Sequence, residues 1–314
     1  MTAKVISLQI KPGIQRDGTL FDAPSYVDGR WVRFQRGRPR KIGGFRGIFL
    51  QASGISRGMI MNSENGLNYI YSGTNDALQM WQTDDDDGVG AGPYDITLSD
   101  FTANDNNLWQ FDIGYDVVGV ASYLIAHPGQ NLAHIDSTVN TPVLYGDFPG
   151  GSMAKLTDTQ GSTPSGDTIE VSGGCVMLHP YLFVYGNNGL IKNSSAGNFF
   201  DWNSPDANET NVSTGKIVKG LPVRGGTTSP SGLFWSLDSL VRVSYTPTTV
   251  GSSTLYWRYD IISSQSSIMS SSCVIEYDGI YFWVGVDRFL MYNGVVTEIP
   301  NSMNFNYFLD RKST

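Results

Sequence analysis

The sequence predicts an all-β protein, a β-propeller of about six blades with a basic hairpin extension at its N-terminus. Three observations carry this prediction: a Gly- and aromatic-rich composition, a strand–turn–strand unit that recurs along the chain, and a lack of helical periodicity. The expected organisation is an N-terminal arm with the basic hairpin over residues 1–55, followed by the propeller body over residues 56–314.

The composition favours strands and tight turns over helices. The 314 residues include 36 Gly, 16 Tyr, 15 Phe and 7 Trp, and only 16% of them are charged. A hydrophobic content of 40% is enough to bury a large core, which argues against disorder. No long stretch combines a 3.6-residue apolar period with capping residues, so no long helix is predicted.

The recurring unit consists of an apolar run, a turn of Gly, Asn, Asp or Ser, and a second apolar run. Such turns supply the positive φ angles that tight hairpins need. The units begin roughly 50 residues apart, which is close to the repeat length of a four-stranded propeller blade. They are YIYSGTNDALQMW (69–81), YLIAHPGQNLAHI (123–135), LFVYGNNGLIK (182–192), LFWSLDSLVRVSY (233–245) and YFWVGVDRFLMYNG (281–294).

The apolar runs are nearly continuous, as at residues 281–284, and do not alternate with polar residues. The inner strands of a blade lie between two neighbouring blades, so both of their faces are buried. A β-sandwich with coincidental spacing is the alternative. Dividing the chain length by the spacing gives about six blades. Residues 146–174 and 203–215, rich in small polar residues, are expected to form long surface loops.

A basic segment near the N-terminus is the sharpest electrostatic feature of a chain whose net charge is −8. Residues 28–49 hold a third of its 21 Lys and Arg, and no acidic residue lies between Asp28 and Glu64. WVRFQ and RPRKI predict two strands joined at Gly37, with the second at a sheet edge because proline cannot donate to a ladder. The basic residues are Arg30, Arg33, Arg36, Arg38, Arg40, Lys41 and Arg46.

Three interpretations of this hairpin stay open: docking to an acidic partner surface, a solvated face with ordinary ion pairs, and direct contact with nucleic acid. Docking is favoured, since nonspecific nucleic-acid binding usually needs a basic domain and this chain is acidic.

Two long segments carry a resemblance to a known family. They are PGIQRDGTLFDAPSYVDGRWVRFQRGRPRKIGGFR at 12–46 and SSIMSSSCVIEYDGIYFWVGVDRFLMYNGVVTEIPNSMNFNYFLD at 266–310. YGNNGLIKNSSAGNFFDWN at 185–203 and the hairpin at 233–245 fit as well. In the order of these segments the chain resembles the tail hub or nozzle proteins of short-tailed bacteriophages, a group that includes the packaged-DNA stabilisation proteins.

The resemblance implies a structural virion protein without enzyme activity, made in the host cytoplasm and placed in the tail. It implies a homo-oligomeric ring, expected to be a hexamer, below the portal and its tail adaptor. Tail fibres or spikes would attach to the ring, and DNA would pass through its lumen without sequence recognition. The acidic run Asp84, Asp85, Asp86 and Asp87 is expected in a solvated loop, part of which could face that lumen.

The competing class is a carbohydrate-recognising propeller, either a glycosidase or lectin-like. SSAGNFFDW at 194–202 weakly matches a sialidase-type box, and Trp202 and Trp257 could stack on sugar rings if they were exposed.

Other chemistry finds little support. His127, His134 and His179 have no metal-ligand spacing and are expected at the surface or in turns, so no metal and no cofactor is predicted. Cys175 and Cys273 are expected to be free thiols, and no apolar stretch approaches the roughly 20 residues of a membrane span.

Overall fold

The chain folds into short β-strands joined by turns. The computed structural model describes residues 10–14, 25–44, 47, 50–82, 91–129, 138–223 and 229–300. Within them the one helical element is a 3₁₀ turn, Asn187–Gly189, so the all-β prediction is confirmed. Two compact units are present, Met1–Gly47 together with Glu298–Thr314, and Ile48–Thr297.

In the first unit, strands pair two by two. β1 (Lys11–Ile14) pairs in parallel with β2 (Ser25–Tyr26). β3 (Val32–Gln35) and β4 (Arg38–Lys41) form an antiparallel hairpin, as the sequence predicts.

The second unit is a ring of five small four-stranded sheets, which is the arrangement of a β-propeller. Blade 1 contains β5 (Gly58–Glu64), β6 (Leu67–Gly73), β7 (Leu78–Gln82) and β8 (Ala91–Asp95). Blade 2 contains β9 (Gln110–Asp116), β10 (Ala121–His127), β12 (Leu144–Asp147) and β13 (Ala154–Lys155). β11 (Thr141–Pro142), which lies between β10 and β12 in the chain, pairs with β14 (Glu170–Val171), which follows β13.

The remaining blades follow in chain order. Blade 3 contains β15 (Gly174–Leu178), β16 (Tyr181–Tyr185), β17 (Leu190–Asn193) and β18 (Asn208–Asn211). Blade 4 contains β19 (Ile217–Pro222), β20 (Ser231–Ser236), β21 (Leu240–Val250) and β22 (Ser253–Ser263). Blade 5 contains β23 (Val274–Tyr277), β24 (Ile280–Val284), β25 (Phe289–Tyr292) and β26 (Val296–Glu298). In four of the five predicted units both apolar runs lie in two consecutive strands of one blade. The unit at 123–135 supplies β10, and its second half lies outside the described residues.

Consecutive blades are held together by apolar clusters between their faces. Along β16, Phe183 packs towards blade 4, whereas Val184 packs towards blade 2. Every residue of β16 is therefore buried. Full burial of one such aromatic side chain contributes about 2–3 kcal/mol. The structure thus confirms that continuous apolar runs reflect burial on both faces of a blade.

Blade 5 departs from this rule. Along β24, Tyr281 and Trp283 are buried against blade 4, but Phe282 and Val284 are only half-buried. The prediction that the run at residues 281–284 is buried on both faces is therefore wrong for this strand. On β23, Ile275 and Tyr277 are 65% and 74% exposed. Among the described residues, no buried apolar cluster joins blade 5 to blade 1.

The prediction of six blades is wrong by one. Five sheets are present in the described residues, because the count divided the whole chain by the repeat length. That division included the N-terminal residues, whose described strands pair two by two instead of forming a four-stranded sheet.

The expectation of long surface loops is also wrong in part. Residues 146–174 contain β13 and β14, and Leu156 and Ile169 within them are 0% and 6% exposed. Residues 203–215 contain β18. A few apolar side chains anchor an otherwise small and polar segment, and the average composition of the segment conceals them.

Polar side chains also join the blades. Gln110 on β9 donates from Nε2 to the Gly173 carbonyl at 2.8 Å, and its Oε1 accepts from the Tyr185 hydroxyl at 2.6 Å. It is 4% exposed. Because a buried amide without partners is costly, this pairing fixes how β9 lies against blade 3.

His127, expected at the surface or in a turn, is fully buried at the end of β10. The backbone N–H of Gly129 donates to its Nδ1 at 3.0 Å. The proton therefore lies on Nε2, which donates to the Val171 carbonyl at 3.1 Å. Burial is the main cause that lowers the pKa of His127 to about 4, and Lys216 adds to it. The imidazole is thus a neutral structural link, while His179 is exposed.

Candidate functional site

The β3–β4 hairpin closes through a two-residue turn at Arg36 and Gly37. Their φ angles are 51° and 74°, so both lie in the left-handed region. This is the turn whose twist matches that of hairpin strands. Gly37 adopts it without strain, whereas an arginine there costs about 1 kcal/mol. Arg36 is therefore held at the hairpin tip against its own backbone preference.

One face of the hairpin is made of arginine. Arg33 pairs with Arg40 across the ladder, and Gln35 pairs with Arg38. Side chains paired in this way point to the same side of an antiparallel ladder. Arg33, Arg38 and Arg40 thus form one surface, called the arginine face below. An open cleft of about 390 Å³ is lined by Gln35, Arg36, Arg38 and Arg40.

The opposite face of the hairpin is largely apolar. Val32 pairs with Lys41, and Phe34 pairs with Pro39. Val32 and Phe34 are half-buried, and the ring of Phe34 lies 5.6 Å from that of Tyr26. The hairpin is therefore anchored through Phe34, which leaves the arginine face towards solvent.

The arginine face has no acidic partner within the described part of the chain. Among the described residues, no carboxylate lies within ion-pair distance of Arg33, Arg38 or Arg40, and the side chains on β4 are all exposed. Like charges directly opposite each other on a ladder are destabilising. The ion pairs seen elsewhere, such as Lys155 with Asp100 at 2.5 Å, are ordinary surface pairs. A surface of this kind suits carboxylate or phosphate groups, which guanidinium binds in a bidentate manner.

The predicted basic residues do not all share this face. Lys41 lies on the opposite face, and Arg30 precedes the strand. Arg46 and the acidic run 84–87 lie outside the described residues.

Trp31 is a residue that the sequence reasoning missed. It precedes β3, has a φ of 58° and is 66% exposed. Its carbonyl accepts from the backbone N–H of Ile42 at 2.8 Å, which extends the hairpin by one pair. Tryptophan beside arginine is the combination enriched at the energetic centres of protein interfaces. The sequence RWVRF predicts Trp31 as part of a strand, but the strand begins at Val32.

The aromatic residues considered for sugar stacking lie in cores. Trp202 and Trp257 are 5% and 7% exposed, and each belongs to an inter-blade cluster. Neither ring offers its face to a ligand in solution.

Cys175 and Cys273 are free thiols, the first of them buried. Across the described parts of the chain, no group of three or more His, Cys, Asp or Glu side chains is placed to hold a metal ion. No helix in these parts has the length and apolarity needed to cross a membrane.

Comparison with known proteins adds little. No protein-family model matches the chain, and no curated protein matches it. Among solved structures, the chain is similar to one described as Chaetomium thermophilum Polycomb Repressive Complex 2 bound to GSK126. The identity is 8%, the TM-score is 0.29, and the match covers 76% of this chain and 72% of the other. Similarity at this level carries no argument about function.

Proposed function

We propose that this protein is a structural subunit of a virion tail, a hub or nozzle of the kind found in short-tailed bacteriophages. In this proposal its copies form a ring below the portal and adaptor. The ring extends the DNA channel, retains packaged DNA until ejection and carries the tail appendages. The arginine face docks on carboxylates of the adaptor.

The observation that carries the proposal is that the arginine face has no described carboxylate beside it. A chain of net charge −8 concentrates three guanidinium groups on one hairpin face and provides no described carboxylate to neutralise them. Mutual repulsion within the face is relieved when an acidic surface covers it. Duplex DNA is a weaker candidate, because the remaining surface of an acidic chain repels phosphate over the range of the Debye length.

The blade architecture also supports the proposal. Apolar residues fill the spaces between blades, and the two tryptophans considered for sugar stacking are buried there. This arrangement suits a rigid scaffold that presents edges and hairpins to neighbouring proteins.

The test is charge reversal on the arginine face. The variant Arg33→Glu/Arg40→Glu is compared with Lys41→Glu/Lys11→Glu, which changes net charge equally through exposed lysines outside that face. Affinity for the purified adaptor of the same virion is measured by titration calorimetry at two salt concentrations.

We expect the arginine variant to bind the adaptor at least tenfold more weakly, because two charge-assisted contacts are lost at the interface. The lysine control should bind within about twofold of the original chain. Equal binding by the two variants would contradict docking through this face. Loss of duplex DNA binding with unchanged adaptor binding would favour the nucleic-acid interpretation instead.

A further inference from the structure

Outer strands of propeller blades have one unpaired edge, which invites other strands to pair with it. In four blades this edge is short or carries a residue that discourages pairing. β13 has two residues, β8 contains Pro93, β18 contains Glu209 and β26 ends in Glu298. Short length, proline and charge are the usual means by which proteins block edge-to-edge contact.

Blade 4 is different. Its outer strand β22 and the adjoining β21 have 11 residues each. β20 pairs with β21 only from Leu240 to Ser244. Past that point the hairpin continues as two strands alone, through Thr248 opposite Leu255 and Val250 opposite Ser253. Residues 246–255, called the arm below, therefore extend beyond the blade, and among the described residues no further strand pairs with them.

The arm is unusual in composition as well as in length. Its sequence, TPTTVGSSTL, has no charged residue, and none occurs between Arg242 and Arg258. Val250 and Leu255 on the arm are 64% and 62% exposed. The strand segment 253–257 of β22 has neither proline nor charge, since Pro247 lies on β21, and Arg258 and Asp260 lie on β22 outside the arm. The arm thus combines length, neutrality and exposed apolar side chains at an edge, residues 253–257, that carries no blocking residue.

We propose that the arm is a self-association element, and that the free edge of β22 pairs with the arm of a second copy of this chain. The neutral composition favours a second copy as the partner. Two molecules of net charge −8 repel each other, and this repulsion is weakest where the two contacting surfaces carry no charge. Strand pairing supplies the missing partners of the backbone N–H and C=O groups along this edge. The inference rests on the proposed function only in expecting that the protein self-associates.

Two variants test the arm. Leu255→Lys places a charge on the free edge, as edge-protected strands do. The second variant replaces residues 246–256 with Asn-Gly, which joins the paired residues Tyr245 and Trp257 through a two-residue turn. Tyr94→Lys is the matched control, because Tyr94 is 47% exposed on the outer strand of blade 1.

Oligomeric mass is measured by sedimentation across a hundredfold range of protein concentration, and folding is checked by thermal unfolding. We expect the original chain and Tyr94→Lys to form the same assembly. Both arm variants should sediment as the 34.4 kDa monomer at concentrations at least tenfold higher than those at which the original chain dissociates. The melting temperature should be unchanged for Leu255→Lys, because Leu255 is exposed, and lower for the deletion, because Tyr256 packs against the cluster between blades 3 and 4.

Assembly of the Leu255→Lys variant that equals that of the original chain would overturn the proposal, as would an original chain that is monomeric throughout. The experiment distinguishes failure of this proposal from failure of the proposed function. A dimer that the arm variants dissociate would support self-association through the arm and contradict the proposed ring. A ring that persists in both variants would support the proposed ring and contradict self-association through the arm.

Discussion

Protonation of His127 should link the stability of the propeller to pH. The pKa of this buried imidazole is lowered from 6.5 to about 4 in the folded protein. The unfolded chain therefore binds more protons than the folded one between these two values. The contribution of neutral His127 to the free energy of unfolding is fully present above pH 6.5. It decreases as the pH falls through this window, and it does not decrease further below about pH 4.

The size of the effect follows from the shift. A difference of one pKa unit corresponds to 1.36 kcal/mol, so the complete window is worth about 3 kcal/mol. Between pH 7 and pH 5, where part of the window is crossed, the expected loss is about 2 kcal/mol. The cause is local: protonation of Nδ1 would set a donor against the backbone N–H of Gly129 in a dry site.

The assay is equilibrium unfolding in urea at pH 7, 6 and 5, followed by tryptophan fluorescence. The variant His127→Gln keeps a polar side chain at the site but cannot titrate. At pH 7 it should be less stable than the original chain. Between pH 7 and pH 5 it should lose about 2 kcal/mol less stability than the original chain does. His179→Gln is the control, since that histidine is exposed. If the original chain and His127→Gln lose equal stability between pH 7 and pH 5, the reasoning is refuted.

Two further predictions concern single positions. Gly73→Ala should destabilise the propeller by about 1–3 kcal/mol in urea unfolding, because a Cβ there would overlap the indole of Trp109. The control Gly150→Ala should not, because a Cβ there would meet only the Met80 side chain at 3.6 Å, an ordinary van der Waals contact. Arg36→Asn should slow hydrogen exchange of the Ile42 amide about fivefold, because asparagine accepts the left-handed turn with less strain. Unchanged exchange would show that the turn is unstrained.

Much of the fold could be predicted from the sequence because the relevant signals are local. The turn residues and apolar runs at 182–192 specify β16 and β17, and the continuous apolar character of these runs already implies burial on both faces. The basic hairpin was equally accessible, since alternation of Val32 and Phe34 with polar neighbours fixes the two faces.

The prediction of the candidate site was less complete. The seven basic residues form one group in the sequence, but strand register decides which of them share a face, and it places Lys41 on the other face of the hairpin from Arg33 and Arg40. The arm could not be predicted from the sequence, because the length of β21 and β22 beyond the blade depends on where β20 ends its pairing with β21.

The sequence alone determined the strand-rich class, the repeated unit and the concentration of charge, because turn chemistry, apolar runs and charge spacing act over a few residues. Only the tertiary structure decided the number of blades, the burial of His127 and the exposed far side of blade 5. These features depend on contacts between segments that are far apart in the chain, and a local sequence pattern does not determine which distant segments it will contact.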